Sequence, residues 1–186
     1  MAKRPLPTPE QLRQLLRYEP ETGKLFWLQR GPEWFSDGKQ GAVRHCNAWN
    51  GRFAGKEAFT ANHNQGYKDG HVNSCHLLAH RVIWAIVTGA WPEGDIDHDD
   101  TDKANNRWGN LRPATSAQNM QNKGVRKDSS TGLKGVRFHK PTGKFIASIR
   151  ANHKGYYLGL FDLAKDAKAA YDEAAARLHG DYANLG

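Results

Sequence analysis

Four short elements follow one another between Asp95 and Asn122, and this spacing constrains the fold more than any other feature of the chain. Asp95 to His98 predicts a strand, a polar loop follows, and Asn110 to Arg112 predicts a second strand. Thr115 with Gln118 three residues later forms the capping box that begins a helix. A strand, a loop, a strand and a helix in so little chain predict a small α+β unit.

The chain before this unit predicts further short elements. His76 to Trp91 is apolar nearly all round and indicates a buried helix. Thr8-Pro9-Glu10-Gln11 is typical of a helix start, and Leu12, Leu15 and Leu16 continue it as one apolar stripe. Lys24 to Leu28 predicts a strand, whereas Gly31 to Gly70 is rich in turn residues and predicts loops and short hairpins. At 186 residues we expect two small modules.

The basic charge of the chain is concentrated in one segment. The chain has a formal net charge of +8. Lys123 to Tyr156 contains nine lysines and arginines and a single acid, Asp128, so this segment alone carries +8 and the remainder is neutral. Such a segment, interleaved with aromatic residues, is typical of nucleic-acid binding. A solvated basic loop is the alternative interpretation.

The C-terminal part predicts a three-stranded antiparallel sheet packed on one helix. The strands are predicted at Leu133 to Phe138, Lys144 to Arg150 and Gly155 to Gly159. Leucine, alanine and tyrosine residues from Leu163 to Leu178 recur at helical spacing and give the helix a face of small residues. Side chains alternate along a strand, so one face of the middle strand is polar and the other apolar. The polar face contains Lys144, Ile146, Ser148 and Arg150, and the apolar face contains Phe145, Ala147 and Ile149.

Composition argues against several classes of protein. No apolar run approaches the roughly 20 residues of a membrane span, and the N-terminus lacks the apolar segment of a secretory signal, so we expect a cytoplasmic protein without membrane association. Two cysteines cannot build a disulfide framework. The pairs His45-Cys46 and Cys75-His76 contain four potential zinc ligands, but adjacent residues point in opposite directions, which favours ordinary thiols.

The acidic segment contains candidate ligands for a divalent metal ion and a candidate general base. Hard divalent cations prefer carboxylate and amide oxygens and often use only one or two protein ligands, as Asp97 and Asn119 would provide. His98 is suited to act as a general base near neutral pH. The nearby acids at 99, 100 and 102 are interpreted as turn formers, and the asparagines at 105, 106 and 122 as backbone caps.

These residues resemble the HNH endonuclease motif in its His-Asn-Asn form. Asn110 follows His98 by twelve residues and Asn119 follows Asn110 by nine, and the surrounding AHRVIWA, IDHDD, NNRWGNLR and ATSAQNMQN are similar to the homing-endonuclease-like branch. The resemblance implies a ββα-metal (His-Me finger) fold that hydrolyses DNA phosphodiester bonds with one Mg²⁺ or Mn²⁺ ion. It assigns Asp97 and Asn119 to the metal and His98 to proton abstraction, with Asn110 bracing the loop and orienting the histidine. Arg81 is a candidate phosphate contact.

Residues Leu133 to Ala183 resemble the DNA-binding domain of plant ethylene response factors (ERF), versions of which occur fused to HNH nucleases in phages and mobile elements. LKGVRF, GKFIASIR, YYLGLFD and AAYDEAAARLHG carry the resemblance. It implies a sheet in the major groove of DNA. The predicted DNA contacts, including two linker residues, are Arg126, Lys127, Arg137, Lys144, Ser148, Arg150 and Tyr157. The resemblance also points to Phe145, but strand alternation places Phe145 in the core, which we favour.

The ERF-like segment departs from the family pattern at three positions. Phe145 and Tyr157 stand where the family usually has Trp, and Ser148 stands where it often has Glu. Base preference is therefore not carried over.

Together these patterns predict a DNA endonuclease with separate catalytic and DNA-binding modules. Residues 1–75 support the nuclease core, residues 76–123 form the HNH module, residues 124–132 form a basic linker, and residues 133–186 form the ERF-like domain. We expect a homing or nicking enzyme, encoded by a phage or mobile element, that acts as a monomer on double-stranded DNA without a small-molecule cofactor. The alternatives are a DNA-binding regulatory protein whose HNH module is a non-catalytic scaffold, and an RNA-directed nuclease.

Overall fold

The computed structural model describes residues 5–38, 41–126 and 128–186, and its elements are short helices and small antiparallel sheets. Contacts divide the chain between Pro113 and Ala114 into two units. The fold is therefore mixed α+β. In the described part of the chain, no helix combines the length and the apolar character that crossing a bilayer requires.

The elements up to the boundary between the units include helices of seven to twelve residues and strands of two to five residues. In chain order they are α1 (Pro9–Leu15), β1 (Leu16–Glu19), β2 (Lys24–Trp27), α2 (Ala42–Phe53), β3 (Glu57–Ala58), β4 (Ala61–Asn62), β5 (Lys68–Val72), β6 (Cys75–Leu78), α3 (Ala79–Thr88), β7 (Asp95–His98) and β8 (Leu111–Ala114).

Helix α1 begins at the predicted capping box and carries the core of the first unit. Thr8 accepts a hydrogen bond from the Gln11 backbone, and the Gln11 side chain accepts one from the Thr8 backbone. The three leucines of the predicted stripe are almost completely buried, although the last of them, Leu16, already begins β1. They pack with residues of α3, β7 and β8, among them Val82, Ile83, Ile96 and Leu111. This core therefore supports the strands that carry the predicted catalytic residues.

The predicted helix at His76 to Trp91 is shorter in the structure. Its first residues belong to β6, which pairs antiparallel with β5, and α3 begins only at Ala79. Asn73 and Ser74 both have positive φ, the conformation that a tight two-residue hairpin turn requires, and this turn sets the strand pairing. At the other end, Gly89 stops the helix in the left-handed conformation.

Residues 31–70 contain a helix that the sequence analysis missed. Helix α2 has twelve residues, and it packs through aromatic contacts. The Trp49 ring lies 5.5 Å from the Trp27 ring and 6.3 Å from the Phe35 ring, and the Arg30 guanidinium lies 3.8 Å from the Trp49 ring centre. Tertiary aromatic packing therefore contributes to the stability of α2.

The second unit contains the predicted three-stranded sheet and its covering helix. Its elements are α4 (Ser116–Gln121), β9 (Val136–His139), β10 (Lys144–Ala151), β11 (Lys154–Phe161) and α5 (Ala164–His179). Strand β10 lies between β9 and β11, and all pairs are antiparallel. Ala147 packs with Val136 and Ala167, and Phe145 joins this cluster on the helix side, as strand alternation predicted.

Candidate active site and nucleic-acid interface

Strand β7 buries two polar side chains in succession. Asp97 is 5% exposed and His98, the last residue of the strand, is 3% exposed. Strand β8 lies beside β7 in a two-stranded sheet. Burying a carboxylate next to an imidazole is unfavourable unless both groups have polar partners, so these partners define the site.

The His98 imidazole is held by Asn106. His98 Nε2 lies 3.1 Å from Asn106 Oδ1, and the Asn106 side chain is buried with it. The Tyr18 hydroxyl donates to the Asn106 carbonyl at 2.8 Å and so fixes the backbone at this point. Because an amide oxygen can only accept, the contact favours the tautomer with the hydrogen on Nε2 and a lone pair on Nδ1. Burial lowers the pKa of His98 and so favours the neutral ring.

Asn110 closes the loop between β7 and β8. Its Nδ2 donates to Asp100 Oδ1 at 2.9 Å and to the Asn105 carbonyl at 2.8 Å, and its Oδ1 accepts from the Asp100 backbone at 3.0 Å. Burial acts to raise the pKa of Asp100, but hydrogen bonds from Asn105 and Asn110 lower it overall. Asn110 was predicted to orient His98 and Asn106 to act as a backbone cap, whereas in the structure Asn106 contacts the imidazole.

Asp97 is paired with an arginine that the sequence analysis did not single out. Arg112 of β8 donates from Nε and Nη2 to Asp97 Oδ2 at 3.1 and 2.9 Å, and its Nη1 pairs with Asp99. Asp99 therefore has an ion-pair partner, and it lies in a turn with its side chain 60% exposed, which agrees with the predicted turn former. The arginine side chain is 19% exposed, so the pair is largely shielded from water.

A second imidazole and a tyrosine ring surround His98. The ring of His80 in α3 packs edge-on against that of His98, with centroids 5.2 Å apart, and the Tyr67 ring lies 4.9 Å from His80 and 5.8 Å from His98. His80 is 4% exposed, and within the described residues its Nδ1 has no hydrogen-bond partner. Burial, with a smaller effect of His98, lowers the pKa of His80 to about 3. His80 is therefore uncharged at neutral pH.

The low pKa of His80 predicts a loss of stability in acid. In the unfolded chain a histidine binds a proton below about pH 6.5, whereas folded His80 does so only near pH 3, so the unfolded state gains about 1.4 kcal/mol per pH unit as the pH falls between these values. A His80→Asn variant removes this dependence. The free energy of unfolding of the variant should therefore decrease less steeply between pH 6 and pH 4 than that of the wild type.

Tryptophan fluorescence during urea unfolding measures this difference in the first unit, because all six tryptophans precede Pro113. His71, which is exposed on β5, provides the matched control as His71→Asn. Equal pH slopes for the wild type and His80→Asn would contradict the assignment of an uncharged buried His80.

Arg81 binds backbone carbonyl groups of the segment that precedes β7. Its guanidinium donates to the Pro92 carbonyl at 3.0 Å and to the Gly94 carbonyl at 2.9 Å, which holds the segment that leads into β7. A contact of Arg81 with a DNA phosphate stays a prediction.

Asn119 lies on α4 in the second unit, where the helix begins at the predicted capping box of Thr115 and Gln118. Its role as a metal ligand also stays a prediction.

The donor chemistry of Asp97 and Asn119 fits a hard divalent cation. Among the described residues, no cluster of three or more His, Cys, Asp or Glu side chains is arranged to hold a metal ion. A magnesium site does not need such a cluster, because one carboxylate, an amide oxygen, water and substrate phosphate are sufficient.

The two cysteine thiols contact backbone carbonyl groups. Cys46 Sγ lies 3.1 Å from the Arg30 carbonyl, and Cys75 Sγ lies 3.5 Å from the Pro5 carbonyl.

The outer face of the C-terminal sheet collects most of the predicted DNA contacts. Paired residues on neighbouring strands share a face, and Ser148 pairs with Tyr157 while Arg137 pairs with Ile146. This face, which we call the basic sheet face, is opposite α5 and contains Arg137, Lys144, Ser148, Arg150 and Tyr157. Tyr157 is 67% exposed, and both arginines are exposed. The arrangement offers cations and an aromatic ring to a ligand on one surface.

The two linker residues that were predicted to contact DNA have different outcomes. Arg126 is exposed, and its guanidinium donates to both carboxylate oxygens of Asp128 at 2.8 and 2.9 Å. Lys127 lies outside the residues that the structure describes.

Comparison with known families identifies the class of the first site. Residues 77–121 match a family model described as HNH endonuclease. The match includes Asp97, His98, Asn110 and Asn119, and the chain therefore contains an HNH endonuclease domain at these residues. The predicted resemblance is confirmed at this level, whereas the His-Asn-Asn form of the motif stays a prediction.

A phage protein is similar over more of the chain. Protein 3.8 of Escherichia phage T7 is 30% identical over 107 residues, which are 57% of this chain and 88% of Protein 3.8. The chain belongs to the same family as Protein 3.8.

Two plant proteins of the AP2/ERF type are also similar to the chain. Dehydration-responsive element-binding proteins 2D and 2A of Arabidopsis thaliana are 41% and 40% identical over 68 residues, which are 36% of this chain. The chain spans 32% and 20% of the lengths of these two proteins, so less than a third of either. No solved structure matches the chain.

Proposed function

We propose that the protein is a metal-dependent DNA endonuclease of the nicking or homing type. Residues 76–123 would form the nuclease module and residues 133–186 the DNA-binding module, joined by the basic linker at 124–132. The observation that carries the proposal is the buried pair of Asp97 and His98 at the end of β7, with Asn106 fixing the imidazole. Its position inside the HNH match supports a ββα-metal nuclease rather than another hydrolase.

His98 is the general base of the proposed reaction. Its neutral ring accepts a proton at Nδ1 from the water that attacks the scissile phosphorus, while Nε2 keeps its hydrogen bond to Asn106. The water oxygen forms the new bond to phosphorus, and the bond to the 3′ oxygen breaks. The departing 3′ oxygen takes a proton from solvent water, so the products are a 5′ phosphate and a 3′ hydroxyl. Asn110 keeps the loop closed around this geometry.

Asp97 and Asn119 would hold one divalent ion, Mg²⁺ or Mn²⁺. When bound, such an ion supplies charge stabilisation to the phosphoryl group. Arg112 keeps the Asp97 carboxylate oriented through two hydrogen bonds to one of its oxygens. The ordered carboxylate requires little reorganisation on binding, which is the general advantage of a preorganised ligand.

The basic sheet face would bind double-stranded DNA. Arginine side chains on a sheet can bridge phosphates or read guanine in the major groove, and Tyr157 adds an aromatic surface. The names of the two plant relatives describe them as element-binding proteins, which supports a DNA-binding role for the similar part of this chain. We propose that the protein acts as a monomer on duplex DNA.

A DNA-binding regulatory protein with a non-catalytic HNH scaffold is the second candidate. The observation that favours it is the pairing of Asp97 with Arg112, because this neutralises the carboxylate that the metal would require. The enzyme is favoured because His98, Asn110 and Asn119 accompany Asp97 within the HNH match. A scaffold alone has no need for a neutral buried imidazole held in one tautomer.

Incubation of supercoiled plasmid with the full-length protein separates the two candidates. We expect conversion to open-circular or linear DNA with Mg²⁺ or Mn²⁺ and none with excess EDTA. A protein that binds duplex DNA tightly, but cleaves no plasmid with either ion, would be a regulator rather than an enzyme.

A further inference from the structure

Helix α4, which carries Asn119, is held at its two ends in different ways. At six residues it is too short to be stable alone. Its N-terminus is fixed locally by the capping box of Thr115 and Gln118. The last carbonyl groups of a helix have no partner within the helix. In α4, two side chains from distant parts of the second unit bind the carbonyls at this end.

The first of these side chains is Lys134, which precedes β9. Its Nζ donates to the Gln121 carbonyl at 2.7 Å. An ammonium group at a helix C-terminus is favourable because it also faces the negative end of the helix dipole. Partial burial of the ammonium group lowers the pKa of Lys134 to about 8.

The second side chain is Asn184, which follows the short 3-10 turn Gly180–Tyr182 near the C-terminal end of the chain. Its Nδ2 donates to the Asn122 carbonyl at 2.9 Å. Asn122 is the C-cap residue of α4 and is 4% exposed. A buried carbonyl is costly to leave without a partner, so this contact contributes to the position of the helix end.

Both side chains extend from rigid parts of the sheet domain. Gly135, next to Lys134, has a φ of +72° and lies so close to the Tyr171 ring that no Cβ fits. The Ser148 backbone donates to the Gly135 carbonyl at 3.0 Å. Ala183, next to Asn184, packs against the cluster that contains Ile149 and Tyr171. The core beneath the basic sheet face therefore also fixes Lys134 and Asn184, which we call the two anchors of α4.

We propose that Lys134 and Asn184 are positioning residues that hold α4 and with it Asn119, the proposed metal ligand. The proposal rests on the proposed function of Asn119. Removal of either anchor weakens catalysis without weakening the binding of DNA.

The test compares Lys134→Met and Asn184→Ala with the wild type in the full-length chain. We expect the single-turnover plasmid cleavage rate at saturating protein to fall about tenfold in each variant. The Kd for a duplex, measured in EDTA, should stay unchanged. Hydrogen exchange should become faster at the backbone amides of Asn119 and Asn122, which bond within α4, and should stay slow in β10. Lys134→Arg keeps a donor and should restore most of the rate.

Lys165→Met is the matched control, because Lys165 is exposed on α5 and the substitution removes the same charge. Unchanged rates and exchange in both test variants would overturn the proposal, as would a parallel loss of affinity and of β10 protection. Asn184 lies outside the hydrophobic clusters, so its variant gives a result even if Lys134→Met does not fold. If the wild type cleaves no DNA, the proposed function fails, while exchange in α4 still decides whether the two side chains hold the helix.

Discussion

Replacing His98 with alanine should lower the cleavage rate constant by about 10²- to 10⁴-fold, the usual contribution of a general base. The variant removes the group that accepts the proton of the attacking water, but it leaves Asp97 with its Arg112 partner and leaves the basic sheet face intact. The Kd for duplex DNA should therefore be unchanged. Single-turnover plasmid cleavage with saturating protein measures the rate, and titration of a labelled duplex in EDTA measures the Kd.

His71→Ala is the matched control for His98→Ala, because His71 is an exposed histidine of the same unit. It should cleave at the wild-type rate. Near-wild-type cleavage by His98→Ala would show that another group accepts the proton. A loss of DNA affinity equal to the loss of rate would show instead that His98 contributes to binding.

The double variant Arg137→Ala and Arg150→Ala should weaken duplex binding by about 10²-fold, since each arginine contact is worth roughly 1–3 kcal/mol. It should also reduce the salt dependence of binding. If about five phosphates are neutralised by the wild type, the slope of log affinity against log salt is near −4.5, and the loss of two contacts changes it to about −2.7. Fluorescence anisotropy over a series of salt concentrations provides both quantities.

Arg177→Ala removes one positive charge from α5, on the other side of the sheet, and serves as the per-arginine control for the double variant, which removes two. Its salt slope should match that of the wild type. If Arg177→Ala changed the slope as much per arginine as the double variant does, binding would depend on net charge rather than on the basic sheet face.

Signals local to a few residues predicted the structure well. Both capping boxes, at Thr8 and at Thr115, start helices at the expected residues, because the side chain and the backbone that it caps are only three residues apart. Strand β7 also has the predicted bounds. Alternation along β10 correctly placed Phe145, Ala147 and Ile149 on the side of α5 and Ser148 and Arg150 in exposed positions, whereas Ile146, which was predicted on the polar face, is buried. In these cases the determinants lie within the element itself.

Elements and contacts that depend on distant residues were missed. Helix α2 was missed because the Gly and Asn residues in and around it indicated turns, although Cys46, Trp49 and Phe53 recur at helical spacing. Its Trp49 packs on aromatic rings from other segments. The start of α3 was misplaced because the turn at Asn73 and Ser74 commits the following residues to a hairpin.

The candidate site shows the same limitation. The residues Asp97, His98 and Asn110 were found from their spacing, but the partners Asn106 and Arg112 were not. Their contacts exist only once the loop between β7 and β8 has closed.

The anchoring of α4 also determines where this chain can be recombined with another. An exchange of DNA-binding domains at the basic linker, residues 124–132, would leave α4 behind without Lys134 and Asn184, and its last two carbonyls would lose the donors that they have here. A crossover before Thr115 transfers the helix together with both donors. Engineered hybrids that retarget such a protein should therefore be joined upstream of α4, although the sequence alone would suggest the basic linker as the fusion point.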